Sequence, residues 1–277
     1  MPHDDVYADL HTHTTCSDGC CTPEGLVEQA AARGIQVLSV TDHDTVKGLG
    51  AAAEAAKKRG IEFVPGIELS VTLQGEEIHL LAYELDPTHS GLERHLKAMQ
   101  DARRERAWSM IERLREHEVE VEDEQLHEDI EETQAVGRPH VASALVRHGH
   151  VETSRDAFER YLGRGKPGYV PKPAFAAAEA LTLVHEAGGV GVLAHPGHWT
   201  SGTQLRRLVE KGLDGIETRH PSHDASLRVY YERLARGYDL RTTGGSDYHG
   251  RTEDEETNLG TVGMTRAEWE RFRDVLS

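Results

Sequence analysis

The chain has 277 residues, of which 37 % are hydrophobic and 29 % charged; this suffices for one large domain or two modest ones and argues against disorder. Its 31 basic and 48 acidic residues leave a formal net charge of −17. That excludes a nucleic-acid coat protein, which needs a basic footprint. It does not exclude an enzyme that draws a phosphate into a metal-lined cleft, because bound cations reverse the local field. An acidic surface also suits a salt-rich cytoplasm. The opening Met1-Pro-His-Asp-Asp is acidic where a secretory leader is basic, and no run reaches the roughly 18 apolar residues of a membrane helix. The cysteines, Cys16, Cys20 and Cys21, make a poor disulfide framework. A cytoplasmic protein is expected.

Strand patterns recur along the chain, most of them ending in polar residues. Val6–Leu10 precedes His11, and Val37–Thr41 precedes Asp42-His43. Phe63–Ile67 precedes Glu68, and Ile78–Tyr83 contains His79. Val190–Ala194 precedes His195, Gly215–Thr218 follows, and Arg241–Thr243 precedes Gly244-Gly245-Ser246-Asp247. Helices are expected between them: Thr22–Arg33, with Thr22 as cap and Pro23 at the first position, then Val46–Arg59, capped by Asp44 or Thr45. Ala176–Ala187, Thr203–Lys211 and Ala225–Arg236 complete the alternation, which implies a mainly parallel sheet or barrel. Seven strands are one short of eight, so the expected fold is α/β, a distorted (β/α)7 TIM-like barrel with its site at the carboxyl ends of the strands.

The alternation breaks after Thr88. Leu92–Glu116 reads as a long charged helix with Leu96, Met99, Trp108, Ile111 and Leu114 as its apolar stripe. Residues Glu116–Glu132 hold ten acids and no Lys or Arg, a solvated face or loop. Pro139–Arg147 and Ser154–Leu162 read as shorter helices. The expected division is a barrel of residues 1–87 and 169–277 carrying a helical insertion, 88–168.

Eighteen histidines ask for more than packing. His89, His95, His117 and His127 read as surface residues. Others stand at strand ends. His11 and His13 are two apart in an extended segment, so both rings reach the same side. Asp18 follows in a Ser-Asp-Gly turn, which alone would be a turn former. His43 is a ligand candidate in Thr41-Asp42-His43-Asp44. Glu68 closes an apolar strand, where an unpaired carboxylate is costly and a position between two cations would satisfy it. His79 alone would read as a hydrogen-bonded core histidine. His195, Asp247 and His249 stand at later strand ends. Nine such residues at six strand ends are hard to explain as independent core side chains.

The pattern DLHTHTTCSDG, SVTDHDTVKGL, PGIELS, IHLLAY, LAHPG and TGGSDYHG resembles the polymerase and histidinol phosphatase (PHP) family of metal-dependent phosphoesterases, and it covers the barrel portions in family order. The segment VGRPHVASALVRHGHV with AFERYLGRGKPGYVP resembles the subgroup of 3′,5′-nucleotide bisphosphatases and 5′-3′ exoribonucleases. The resemblance implies three divalent ions. One is held by His11, His13, Glu68 and Asp247. A second shares Glu68 and adds His79 and His195; a third takes Asp18, His43 and His249. Imidazole and carboxylate without thiolate suit Mn²⁺ and admit Zn²⁺, Fe²⁺ or Mg²⁺. The three cysteines read as plain thiols.

The implied reaction is hydrolysis of a phosphate ester by a water that bridges two ions and attacks in line, with Glu68 and Asp247 in catalytic positions. His223 is read either as a phosphate contact or proton donor, with Ser222 beside it, or as part of a helix-cap neighbourhood. Arg138, His140, Lys166 and Tyr169 are candidates for a second phosphate, or ordinary surface groups. The implied substrate is a small phosphorylated nucleotide or a short RNA 5′ end. A histidinol-phosphate phosphatase on the same fold and a non-catalytic metal-binding module are the competing readings.

Overall fold

In a computed structural model, residues 6–132, 136–198, 200–251 and 257–274 are described; the opening residues 1–5, on which the leader reading rests, lie outside them. The chain divides into two compact units, Met1–Glu93 with Phe175–Ser277, and Arg94–Ala174.

The first unit is built on one sheet of seven strands in chain order. They are β1 (Ala8–Asp9), β2 (Val37–Val40), β3 (Glu62–Leu73), β4 (Glu76–Tyr83), β5 (Val190–Leu193), β6 (Gly215–Arg219) and β7 (Arg241–Gly244). Four pairings are parallel; β3–β4 and β4–β5 are antiparallel. The sheet nearly closes into a barrel, since the Leu10 N–H donates to the Gly244 carbonyl at 3.2 Å and Thr12 pairs with Tyr248. Leu10, Val64, Leu81 and Val192 pack together with Trp269 and Phe272.

The distortion has a local cause. Leu73 pairs with Glu76 across Gln74-Gly75, both with positive φ (55° and 84°), the backbone that suits a two-residue hairpin turn. This hairpin replaces one helical crossover and corrects the sequence reading of β3: the strand does not stop before Glu68 but continues to Leu73. Glu68 therefore faces Leu81 in mid-strand, and His79, paired with Ser70, lies diagonally beside it on the same face.

Helices α1 (Pro23–Ala32) and α2 (Leu49–Arg59) pack with β2 around Leu26, Leu38 and Ala52. Thr22 caps α1 as expected, accepting the Gly25 N–H at 3.1 Å. The expected cap of α2 is corrected. That helix begins at Leu49 with Gly48 before it and no side-chain cap, because Asp44 turns into the left-handed region (φ 51°) and accepts the Ser70 N–H at 2.8 Å. Helix α3 (Ser90–Arg115) carries the chain out of this unit. After the return come α7 (Ala177–Glu186), α8 (Gly202–Val209), α9 (Ala225–Gly237) and α10 (Arg266–Arg273).

Within Arg94–Ala174, α3 is followed by α4 (Glu124–Glu132), α5 (Arg138–Arg147) and α6 (Ser154–Ala157), the last continued by a π-helical turn, Phe158–Leu162. The acidic run is thus partly helical. Leu126 and Ile130, one turn apart, are buried with Val119, Val121, Ile111 and Leu145, while most of the acids face solvent. Among the described residues no helix is long and apolar enough to cross a membrane.

Candidate metal centre

All nine candidate side chains come together in one connected cluster, Glu68 and His79 from within β3 and β4 and the others from the segments that follow strands. Glu68, fully buried, is its hub. Its Oε1 lies 2.8 Å from His79 Nδ1 and 2.9 Å from His195 Nε2; its Oε2 lies 3.0 Å from His43 Nδ1, 3.3 Å from His13 Nε2 and 3.4 Å from His11 Nε2. Asp247 Oδ1 lies 3.3 Å from His11 Nε2, 3.2 Å from His13 Nε2 and 3.6 Å from His249 Nδ1. Asp18 approaches His249 Nε2 at 3.2 Å and His13 Nδ1 at 3.8 Å, with His43 Nε2 at 4.0 Å.

The backbone that presents them is strained. His195 (φ 25°) and Asp247 (φ 50°) occupy the left-handed region, which costs a non-glycine residue about 1–3 kcal/mol unless its surroundings impose it. Gly245 has to be glycine, since a Cβ there would stand 2.4 Å from the Cβ of His11. Asp9 ties the two ends together, accepting the Ser246 N–H at 2.9 Å and the His11 N–H at 3.3 Å; burial pushes its carboxyl up to about 7. Asp42 clamps the loop that carries Asp18. It accepts the Thr14 N–H at 2.7 Å, the Thr14 hydroxyl at 2.6 Å and the Ser17 hydroxyl at 2.5 Å.

Electrostatics expose the need for cations. Burial opposes charge on His11, yet Glu217, Asp247 and Glu68 outweigh it and hold this imidazole well above its ordinary pKa. His13 is raised to about 10, burial being overcome by Asp247 and Glu68. Burial, reinforced by the neighbouring His13, carries His43 down to about 3. Burial would raise Glu68, Asp247 and Asp18, but the surrounding imidazoles hold all three below the usual carboxylate range. Protons on His11 and His13 therefore supply positive charge between the acids.

A second observation points the same way. His11 Nε2, both nitrogens of His13, His43 Nδ1 and Glu68 Oε2 are buried without a hydrogen-bond partner. Leaving a buried polar group unsatisfied costs about 1–3 kcal/mol, so such a cluster asks for a shared partner. Nitrogen and carboxylate donors at this spacing fit divalent cations. Ligand atoms within 4.8 Å of one another form the sets His13–Asp18–His43–His249, His11–His13–Asp247, His11–Glu68–His195, His43–Glu68–His79 and His11–Glu217–His220. The first contains the implied third set with His13 added. The implied pairing of His79 with His195 on one ion is divided between two sets, although both rings touch the same oxygen of Glu68.

Glu217 and His220 escaped the sequence reading. Both had a signal: Gly215-Ile216-Glu217 repeats Gly66-Ile67-Glu68, and His220-Pro221 repeats His195-Pro196. His220 donates from Nε2 to Asp247 Oδ2 at 3.2 Å, while its Nδ1 accepts the Ser222 N–H at 3.1 Å. Ser222 is exposed and serves His220. His223 is held by backbone at both nitrogens: Nδ1 donates to the Thr218 carbonyl and Nε2 accepts the Gly197 N–H, each at 3.1 Å. Burial lowers its pKa, so the ring in this arrangement has no spare proton.

In the second unit, the Arg138 guanidinium lies 5.4 Å from the Phe158 ring centroid, and His140 Nδ1 accepts the Gly137 N–H at 3.2 Å. Lys166 is exposed and Tyr169 half-buried in the following loop. Of the expected surface histidines, His117 and His127 are exposed, while His89 and His95 are half-buried. The cysteines are free thiols and enter none of the metal-type sets among the described residues.

The PHP domain family model matches residues 9–168. The chain is 36 % identical over 251 residues to the 5′-3′ exoribonuclease Rnm of Escherichia coli, spanning 88 % of this chain and 85 % of that one. It is 35 % identical to a 3′,5′-nucleoside bisphosphate phosphatase of Chromobacterium violaceum (87 % and 86 % covered). It is also 35 % identical to a phosphoribosyl 1,2-cyclic phosphate 1,2-diphosphodiesterase of Eggerthella lenta (88 % and 94 %). A solved structure described as a metal-dependent phosphoesterase, from Bifidobacterium adolescentis, superposes with a TM-score of 0.79 at 32 % identity, covering 91 % of this chain and 94 % of that one.

Proposed function

The chain belongs to the PHP domain family and is a metal-binding phosphoesterase; from that premise we propose that it removes phosphate from nucleoside 3′,5′-bisphosphates or from the 5′ end of short oligoribonucleotides. The observation that carries the reading is that His11 Nε2, His13 Nε2 and His43 Nδ1 crowd around Glu68, buried and without a hydrogen bond. The exoribonuclease and bisphosphatase relatives support the substrate class, and the net charge of −17 favours a small or end-on ligand over a long RNA track.

We assign three divalent cations, Mn²⁺ first among them, to the nine side chains His11, His13, Asp18, His43, Glu68, His79, His195, Asp247 and His249. When bound, the cations offset the charge of the phosphoryl oxygens and lower the pKa of an attacking water. Glu68 offers an oxygen to each side, and Asp247 is shared by His11, His13 and His249. His220 and Ser222 orient the free edge of Asp247, and His223 braces the loop at Gly197. Arg138, His140, Lys166 and Tyr169 are proposed to hold the phosphate that is not cleaved. The cytoplasm, where three closely spaced thiols stay reduced, is the proposed location.

Phosphate release from a nucleoside 3′,5′-bisphosphate, a 5′-phosphorylated oligoribonucleotide and histidinol phosphate tests the assignment. Turnover of the first two with Mn²⁺, abolished by chelation, is expected. Histidinol phosphate as the preferred substrate would overturn the substrate class, and full turnover after exhaustive metal removal would overturn the mechanism.

A further inference from the structure

Glu217 lies outside the nine-residue set, yet it is fully buried beside it. Its two oxygens are both committed. Oε1 accepts a hydrogen bond from His11 Nδ1 at 3.0 Å, and Oε2 accepts the backbone N–H of His195 at 2.8 Å. The partners belong to opposite parts of the barrel, after β1 and after β5, and their rings stack at 5.6 Å between centroids. His195 is one of the strained residues, with φ 25°. The far nitrogen of each ring meets the hub: His11 Nε2 lies 3.4 Å from Glu68 Oε2, and His195 Nε2 lies 2.9 Å from Glu68 Oε1.

We propose that Glu217 is a positioning residue that keeps the proton of His11 on Nδ1 and pins the strained backbone of His195, so that both rings present Nε2 to the Glu68 hub. The inference rests on the reading of this cluster as a divalent metal centre. A carboxylate behind a ligating imidazole fixes which nitrogen is free, and loss of such a partner typically weakens metal binding by 10- to 100-fold. What is specific here is that one carboxylate holds the ring of His11 and, at the same time, the strained peptide that carries the ring of His195. A rival use of the same atoms is direct ligation, since His11, Glu217 and His220 also converge. Against it, both Glu217 oxygens already hold hydrogen bonds, and His220 is engaged by Asp247 and Ser222.

The test compares the full-length protein with Glu217→Gln. Zinc affinity by competition with a chelating dye should fall 10- to 100-fold in the variant, and the His195 amide should exchange faster with solvent even without metal. In the zinc-loaded parent, ¹⁵N spectra of labelled histidine should show His11 with a hydrogen-bonded Nδ1–H and a metal-bound Nε2. An unchanged affinity together with unchanged amide exchange overturns the proposal, and so does a metal-bound Nδ1 on His11. If the variant does not fold, the parent spectrum alone decides. If the parent takes up no zinc, the metal reading fails by itself, and the protection of the His195 amide in the metal-free parent still decides the role of Glu217: a protected amide supports it and a freely exchanging one overturns it.

Discussion

Five imidazoles surround the two oxygens of Glu68, and their protonation governs how the centre fills. His11 and His13 both hold their protons at neutral pH in the metal-free protein, because their pKa values lie above the usual 6.5. A cation has to displace those protons. Binding of Mn²⁺ should therefore release protons at pH 7, and apparent affinity should rise with pH. Calorimetric titration in two buffers of different ionisation enthalpy reads this as two different observed heats; identical heats would contradict the assigned protonation. Glu68→Ala should remove at least one equivalent of bound metal and nearly all turnover, and unchanged metal content would make Glu68 structural. The residue scale also shows where sequence reasoning stops. Asp44 looked like a helix cap because Asp often is one, yet the nearby Ser70 N–H, supplied by β3, claims its carboxylate instead.

At the scale of elements, α4 shows how a segment with ten acids in the surrounding run still folds. Leu126 and Ile130 form its buried stripe, and Asp123 secures its first turn by accepting the Leu126 N–H at 2.7 Å. The Arg147 guanidinium grips the same carboxylate at 2.8 and 3.0 Å and holds its pKa down to about 2. Asp123→Ala should destabilise the protein by about 0.5–2 kcal/mol, the usual cost of a lost cap, seen as a lower urea midpoint at pH 7. The sign follows from linkage. A carboxyl with a depressed pKa stabilises above its unfolded value near 4 and loses that contribution as pH falls toward 2. The gap between variant and parent should accordingly close over that interval; a gap that persists at pH 2 would assign the effect to packing.

Across the whole molecule, the proposed division of labour between the barrel and residues 94–174 has its own test. Arg138→Ala or Lys166→Ala should lower kcat/KM about ten- to a hundredfold on a nucleoside 3′,5′-bisphosphate, the loss of one charge-assisted contact. A generic aryl phosphate, which has no second phosphate, should be turned over as before. Equal losses on both substrates would tie these residues to fold or metal, and no loss on either would place them outside the binding machinery. Arg138 is the stronger candidate, since its fixed fork of donors suits a phosphate.

The alternation of strand and helix, the seven strands, and the nine imidazole and carboxylate candidates at strand ends were all legible in the sequence, because period and punctuation are local properties of a chain. Tertiary structure alone decided what depends on neighbours distant in sequence. It turned β4 antiparallel through the Gln74-Gly75 turn, set Glu68 in mid-strand, and brought His220, a residue the sequence reading passed over, onto Asp247. It also drew Glu217 behind His11, 206 positions away in the chain. A buried carboxylate is intelligible only once its donors are known, and here they arrive from strands that meet because the barrel nearly closes.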